Sequence, residues 1–182
     1  MDRIGVVGAS YRTVQVDALA AAALPADFPR ENLVELARLA GFSELVYLGT
    51  CNRVEFYFRG DTRIHTNPLL FHLRRSLADL TDGGCQLPED EGLYVHFGRS
   101  AVRHLFRVTS ALDSMMVGEA QITGQAKEAH EIAHKSGLLG GILDQTFHEA
   151  FHLAKRIRTE TELTRRPVSP VSYTHLTLPT MQ

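Results

Sequence analysis

The sequence predicts an α+β domain: a small βαββαβ-type sheet with helices packed on it, followed by a long C-terminal connecting helix. Three observations support this prediction. Strand-like and helix-like patterns follow one another in the order strand, helix, strand, strand, helix, strand. Two of the strands are separated only by a short turn, which is typical of a hairpin. Residues 142–163 contain no strong helix breaker, so one long helix is expected there.

Four short segments carry the strand pattern. Residues 4–8 and 93–97 are short, mainly apolar runs, and residues 44–48 form a third such run. Between Val54 and Arg59, apolar residues alternate with charged or hydroxylated ones. This period of two predicts a strand that is buried on one face only.

The helical pattern is clearest in the second helix, where Pro29 precedes an apolar repeat that stops at Gly41. Proline near a helix start and glycine just after its end are common helix boundaries. Gly118 is expected to interrupt the helical pattern later in the chain. The helices predicted before the long one cover residues 18–24, 29–40, 68–80, 99–112 and 121–136.

Composition indicates an ordinary globular protein. The chain has 182 residues, 44% of them hydrophobic, and a formal net charge of −2, so any nucleic-acid surface must be a local patch. Two cysteines make no disulfide framework, which favours a reducing compartment. No signal-peptide pattern and no apolar run of membrane-spanning length occur. We therefore expect a soluble, cytoplasmic protein.

A cysteine in a turn is the most informative local feature. Residues 50–55 (TCNRVE) place Cys51 between two strand patterns, with Arg53 two positions on. The thiolate is the nucleophilic form of cysteine, and a nearby guanidinium favours the charged form. Arg53 could also hold a substrate carboxylate in its planar fork. The alternative is a buried structural cysteine, since cysteine is among the most buried residue types.

The helix predicted at residues 99–112 carries two features. Arg99, Arg103 and Arg107 recur every four residues and share one face, which suits either phosphate contacts or a solvated surface. His104 lies at the border of the apolar face. It is either a structural histidine or a proton donor to a leaving group.

A polar joint follows that helix. Ser114, Glu119 and Gln121 could orient a small polar ligand, or Ser114 and Glu119 could be ordinary helix-capping residues.

Residues 148–152 (HEAFH) match the H-E-x-x-H pattern of zinc peptidases on a predicted helix. A catalytic zinc needs a third protein ligand, and none follows at a suitable position. A zinc hydrolase at His148 and His152 is therefore only a minor alternative. His130 and His134 are also four apart, and nothing in the sequence completes a site around them. No G-x-G-x-x-G loop follows a strand, so no dinucleotide-binding unit is predicted.

Four motifs in fixed order resemble the N-terminal part of glutamyl-tRNA reductase. They are residues 50–55, residues 104–108 (HLFRV), the polar joint at residues 113–121, and residues 156–161 (RIRTET). The resemblance runs from about residue 4 to residue 164. It departs from the family at Tyr11, where the family usually has a histidine, so the role of that position is open.

The resemblance implies roles for seven residues. Cys51 attacks the aminoacyl ester and forms a thioester with release of tRNA. His104 assists proton transfer or orientation. Arg53 holds a carboxylate of the glutamyl group, and Glu119 lies near its amine. The substrate-binding residues implied are Thr50, Arg53, Ser114, Glu119 and Gln121.

The resemblance also implies a domain plan and partners. Residues 1–140 form the catalytic domain, 141–166 belong to the connecting helix, and 167–182 do not resemble the family and look artefactual. In the family, NADPH-binding and dimerisation domains follow, both expected to be absent here. The family reduces glutamyl-tRNA to glutamate-1-semialdehyde with NADPH, the entry to tetrapyrrole (porphyrin) biosynthesis. It is homodimeric and is expected to work with an aminomutase. The competing interpretation is a non-catalytic tRNA-binding module.

Overall fold

The structure, a computed structural model, describes residues 3–60, 65–113 and 121–161. Within these ranges the chain forms an antiparallel sheet of four strands, six α-helices and one short 3-10 helix at Asp90–Gly92. The strands are β1 (Ile4–Ser10), β2 (Phe42–Thr50), β3 (Arg53–Gly60) and β4 (Tyr94–Phe97). The α-helices are α1 (Val16–Ala22), α2 (Arg30–Ala40), α3 (Thr66–Leu80), α4 (Arg99–Thr109), α5 (Gln121–Lys135) and α6 (Gly141–Glu160).

The sheet has the strand order β2-β3-β1-β4, and every neighbouring pair is antiparallel. β2 and β3 form the predicted hairpin, in which Thr50 pairs with Arg53 across the Cys51–Asn52 turn. β1 lies beside β3 although the two are distant in sequence. The α+β class and the predicted strand–helix order are confirmed.

The two central strands are buried on both faces. All residues of β1 are buried, and so are Arg53 to Phe58 of β3. Successive side chains of a strand point to opposite faces of the sheet, so both faces are covered. The prediction that β3 is half-buried is therefore wrong, because Glu55 and Tyr57 lie inside the protein as deeply as their apolar neighbours.

Close packing of β1 against β3 explains one glycine. A Cβ atom at Gly8 would lie 2.5 Å from the backbone oxygen of Val54, so a larger residue there would push the two strands apart. Gly41 ends α2 in the left-handed conformation at φ +75°, as the sequence pattern indicates.

A buried carboxylate joins the sheet to the last helix. Glu44 of β2 is 1% exposed, and it accepts a hydrogen bond of 2.7 Å from the backbone N–H of Leu143 in the first turn of α6. The other carboxylate oxygen of Glu44 pairs with Arg59 at 3.2 Å. A carboxylate at a helix N-terminus satisfies free N–H groups and complements the helix dipole.

Helix boundaries differ from the predictions at a few points. The first helix spans residues 16–22 rather than 18–24, and α4 ends at Thr109, three residues before the predicted end. Ala111 adopts a positive φ of 57°, which an α-helix cannot accommodate. α6 begins where the connecting helix was predicted, and residues 162–182 lie outside the described part of the chain.

Among the described residues, none of the helices combines the length and the apolar character required to cross a membrane.

Candidate active site around Cys51

Cys51 lies in the tight turn that joins β2 to β3, and it is exposed. The Thr50 hydroxyl oxygen accepts hydrogen bonds from the backbone N–H groups of Asn52 at 3.1 Å and Arg53 at 3.2 Å. The Asn52 carbonyl in turn accepts a bond of 3.0 Å from the N–H of Tyr11. Hydrogen bonds thus hold the turn on both sides, and Cys51 lies on a backbone of defined conformation.

Arg53 is the largest fully buried side chain of the described residues, at 1% exposure. One of its terminal nitrogens donates to Glu55 at 2.8 Å, and the other donates to the backbone oxygen of Asp113 at 2.6 Å. Asp113 directly precedes Ser114 in the chain. Arg53 therefore ties the cysteine turn to the segment that follows α4.

Glu55 is the centre of a buried hydrogen-bond network and is fully enclosed. Its Oε1 atom accepts from Arg53, from the Tyr94 hydroxyl and, at 2.7 Å, from Nε2 of His104. Its Oε2 atom accepts from the Tyr57 hydroxyl at 2.6 Å. A buried charge is tolerated only when it is paired and hydrogen-bonded in this way.

The network keeps Glu55 ionised. Burial alone raises the pKa of this carboxyl, but the hydrogen bond from His104 and the Arg53 charge outweigh it and lower the pKa from 4.5 to about 2. The pKa of Arg53 is raised: burial opposes its charge, and the Glu55 carboxylate more than offsets that cost. Burial and the Glu55 charge raise the pKa values of Tyr57 and Tyr94, so both hydroxyls remain donors.

His104 lies at the edge of this network, with its side chain 12% exposed. Its ring lies 5.0 Å from that of Tyr94 and 5.3 Å from that of His96, measured between centroids. Because Nε2 is bonded to Glu55, Nδ1 is the ring nitrogen that can act on another group. The pKa of His96 is lowered, mainly by burial and to a lesser degree by the neighbouring charge of His104.

The structure brings together some of the predicted site residues. Thr50, Cys51 and Arg53 share one turn, and His104 joins Arg53 through Glu55. Gln121 is the first residue of α5 and is exposed. The predicted sites at Ser114 and Glu119 lie outside the described residues.

The sequence patterns alone assign no role to Glu55, Tyr57, Tyr94 or Asp113. A signal existed for the first two, because alternate residues of a strand share a face and Arg53, Glu55 and Tyr57 are spaced by two. Tyr94 and Asp113 are distant from Glu55 in the sequence, and only the fold brings them into the network. Asp113 also pairs with Arg12 at 3.4 Å, next to the family-divergent Tyr11.

An apolar cavity of about 500 Å³ opens beside the turn. Gly49 and Thr50 border it on the sheet side, and Phe28, Leu33 and Ile132 contribute apolar surface from the helices. This volume lies in the usual range of small-molecule sites. The cavity lining is mainly apolar and also includes Arg30.

His148 and His152 of the H-E-x-x-H pattern both line a surface depression between α5 and α6. His148 lies with His130 and Asp144, and the ligand atoms of these three residues are within 4.8 Å of one another. His152 is exposed and is not part of that group.

Comparison with known proteins agrees with this architecture. The family model described as "Glutamyl-tRNAGlu reductase, N-terminal domain" matches residues 7–161. The glutamyl-tRNA reductase of Syntrophotalea carbinolica is 40% identical over 168 residues, covering 92% of this chain and 37% of that protein. The glutamyl-tRNA reductase of Geobacter metallireducens is 40% identical over 166 residues, covering 91% of this chain and 37% of the relative.

A solved structure, glutamyl-tRNA reductase from Methanopyrus kandleri, superposes with a TM-score of 0.72 at 34% sequence identity. The match covers 93% of this chain and 37% of that one. The chain thus spans little more than a third of the length of the relatives it matches. Since the family model accounts for most of its residues, the chain belongs to the glutamyl-tRNA reductase family and corresponds to the N-terminal domain.

Proposed function

We propose that this chain is the acyl-transfer domain of a glutamyl-tRNA reductase. The Cys51 thiolate adds to the ester carbonyl of glutamyl-tRNA, the carbon–oxygen bond to the terminal ribose breaks, and a glutamyl thioester remains on the protein. The ribose oxygen leaves with the bonding electrons and takes up a proton. The observation that carries the proposal is an exposed thiol in a turn braced by Thr50, two residues before Arg53 of the buried Arg53–Glu55 pair.

His104 is the proposed proton donor to the leaving oxygen. Glu55 accepts from Nε2 of the ring and thereby orients it, so the proton passed to the leaving oxygen is the one that the imidazolium form carries on Nδ1. A positioned histidine contributes about 10²–10⁴-fold to such a step.

Substrate recognition in this proposal uses the polar residues around the turn. Arg53 is buried and paired with Glu55 and Asp113, so in this proposal it holds the cysteine turn in place and does not itself contact the substrate carboxylate. Ser114 and Gln121 complete the polar contacts, and Glu119 accepts from the substrate amine. The apolar cavity beside Thr50 receives a base of the tRNA terminus.

Reduction of the thioester to glutamate-1-semialdehyde by NADPH, the first step of tetrapyrrole biosynthesis from glutamate, belongs in this proposal to the longer protein. The described residues do not fit a dinucleotide, because their sheet is antiparallel and lacks the glycine-rich strand-to-helix loop. We propose further that the longer protein is cytoplasmic, forms a homodimer and works in a complex with an aminomutase.

Deacylation of glutamyl-tRNA tests the proposed function. Water slowly hydrolyses a thioester, so the chain should release free glutamate from glutamyl-tRNA faster than the spontaneous background. Glutaminyl-tRNA, which lacks the side-chain carboxylate, is the matched control and should react more slowly. A tRNA-binding module without catalysis predicts background release from both, and that result would contradict our proposal.

The arginine row of α4 is the proposed tRNA contact. Arg99, Arg103 and Arg107 are exposed on one face of the helix. We expect Arg103→Ala to weaken tRNA binding and to reduce the slope of log affinity against log salt by about 0.7–0.9, the loss of one phosphate contact. Arg75→Ala on α3, equally exposed, is the control. An unchanged slope for Arg103→Ala would contradict the assignment.

A further inference from the structure

Three potential metal ligands meet between the last two helices. His130 lies on α5, and Asp144 and His148 lie one turn apart on α6. The Asp144 Oδ1 atom is 2.7 Å from Nε2 of His130 and 3.6 Å from Nε2 of His148. All three ligand atoms lie within 4.8 Å of one another. Asp144 and His148, which follow His130 by 14 and 18 positions in the sequence, thus lie beside it in the fold.

The cluster is partly prearranged by packing. The side chain of His130 is 12% exposed, and its ring lies 5.6 Å from that of Phe147 and 5.7 Å from that of Phe151. The rings of His130 and His148 are 5.1 Å apart in a T-shaped arrangement. Asp144 and His148 remain accessible at 34% and 58% side-chain exposure, so an ion can enter from solvent.

We propose that His130, Asp144 and His148 form a binding site for one divalent transition-metal ion of the zinc type. Two imidazoles and one carboxylate are a common ligand set for Zn²⁺ when a fourth position is left to water. Imidazole also suits Cu²⁺ and Ni²⁺, whereas Mg²⁺ and Ca²⁺ prefer oxygen ligands throughout. The two imidazoles and the carboxylate therefore exclude Mg²⁺ and Ca²⁺ and favour Zn²⁺, Cu²⁺ and Ni²⁺.

Two of the three distances between ligand atoms lie near those of a coordinated ion, and the third, between His130 and His148, is within 4.8 Å. Ligand atoms around a tetrahedral zinc with bonds near 2.05 Å are about 3.3 Å apart. The Asp144–His148 separation of 3.6 Å is already close to that value. The His130–Asp144 hydrogen bond of 2.7 Å has to open by roughly 0.6 Å, which exchanges it for two metal bonds.

Basic residues around the cluster influence which ions it is expected to bind. Lys127, Lys155 and Arg158 line the same surface depression as His130 and His148. The Lys127 ammonium lies 5.8 Å from the centroid of the Phe151 ring. Nearby positive charge disfavours a bound dication but favours an anion at its open position. We expect weaker affinity than at a structural zinc site, and stronger binding when a coordinating anion such as phosphate is present.

Isothermal titration with Zn²⁺ of the 182-residue chain tests the proposal. Cys51→Ser serves as the background, so that the exposed thiol does not bind zinc. One equivalent should bind, and His148→Ala should lower the affinity tenfold or more, since even the loss of a residue that only orients a metal ligand costs about 10–100-fold. His130→Ala should do the same, with far-UV circular dichroism as the fold control. His148 is exposed, so its variant stays informative if His130→Ala fails to fold.

His152→Ala and His134→Ala are the matched controls, each one helical turn from a proposed ligand, and both should bind zinc like the background. Co²⁺ should give visible absorption bands of a tetrahedral or five-coordinate site that disappear with His148→Ala. Absence of saturable zinc binding in the folded background would overturn the proposal. So would affinity unchanged by His148→Ala, or lost with His152→Ala, since the latter indicates an H-E-x-x-H site.

Discussion

Cys51→Ser is expected to reduce glutamate release from glutamyl-tRNA to the spontaneous rate. A serine hydroxyl has nearly the size of the thiol but is a much weaker nucleophile without an activating base. The side chain is exposed in its turn, so the substitution leaves packing unchanged. Release is measured with radiolabelled glutamate under single-turnover conditions, and binding of tRNA is measured separately to show that substrate still associates.

Cys85 supplies the control for this experiment. It is buried, its Sγ lies 3.2 Å from the Ala22 carbonyl, and burial raises its pKa to about 11. Its thiolate is therefore scarce at neutral pH. We expect Cys85→Ala to retain release once corrected for the folded fraction. Release that persists in Cys51→Ser and disappears in Cys85→Ala would indicate Cys85 as the nucleophile and would contradict the assignment to Cys51.

Glu55→Ala is expected to cause the largest loss of stability of any single change in the site. The substitution leaves Arg53 buried without its carboxylate and removes the acceptor of two tyrosines and His104. Removing one partner of a buried ion pair costs about 3–5 kcal/mol of unfolding free energy. Urea denaturation followed by circular dichroism measures the loss.

A double variant separates charge burial from general packing damage. Arg53→Met removes the cation left unpaired by Glu55→Ala, so the double variant should lose less stability than the two single losses added together. Strict additivity would mean that the two residues act independently, which contradicts the pairing in the structure.

Acid unfolding supplies a further test of Glu55. Its pKa is lowered from 4.5 to about 2 on folding, so the stabilisation is fully present above pH 4.5 and is lost as the pH falls from 4.5 toward 2. A shift of this size corresponds to roughly 3 kcal/mol. Glu55→Gln should be less stable at neutral pH and should depend less on pH in that window. Glu31→Gln, exposed on α2, should resemble wild type.

The fold was predictable because most elements are short and locally marked. Pro29 and Gly41 bound α2, and the Cys51 turn bounds the hairpin. The burial of β3 was not predictable from its alternation, since a central strand can have polar side chains inside when the fold supplies partners. Two of those partners, Tyr94 of β4 and His104 of α4, follow Glu55 by 39 and 49 residues.

The same distinction applies to the sites. Cys51 and Arg53 were identified from one short motif, but the sequence could not show that Arg53 pairs with Glu55 and with the Asp113 carbonyl. Sequence reasoning paired His148 with His152 because both occur in one motif. The structure instead places His148 beside Asp144 and His130, because α5 packs against α6. The spacing of residues within one helix can be determined from a sequence, whereas contacts between two helices cannot.

Intact mass spectrometry of the acid-quenched protein after incubation with glutamyl-tRNA tests the central claim most directly. Wild type should gain the mass of one glutamyl group, hydroxylamine should remove it as expected of a thioester, and Cys51→Ala should gain nothing. A glutamyl adduct of equal yield on Cys51→Ala, or no adduct on folded wild-type protein that binds glutamyl-tRNA, would contradict Cys51 as the acyl acceptor of this domain.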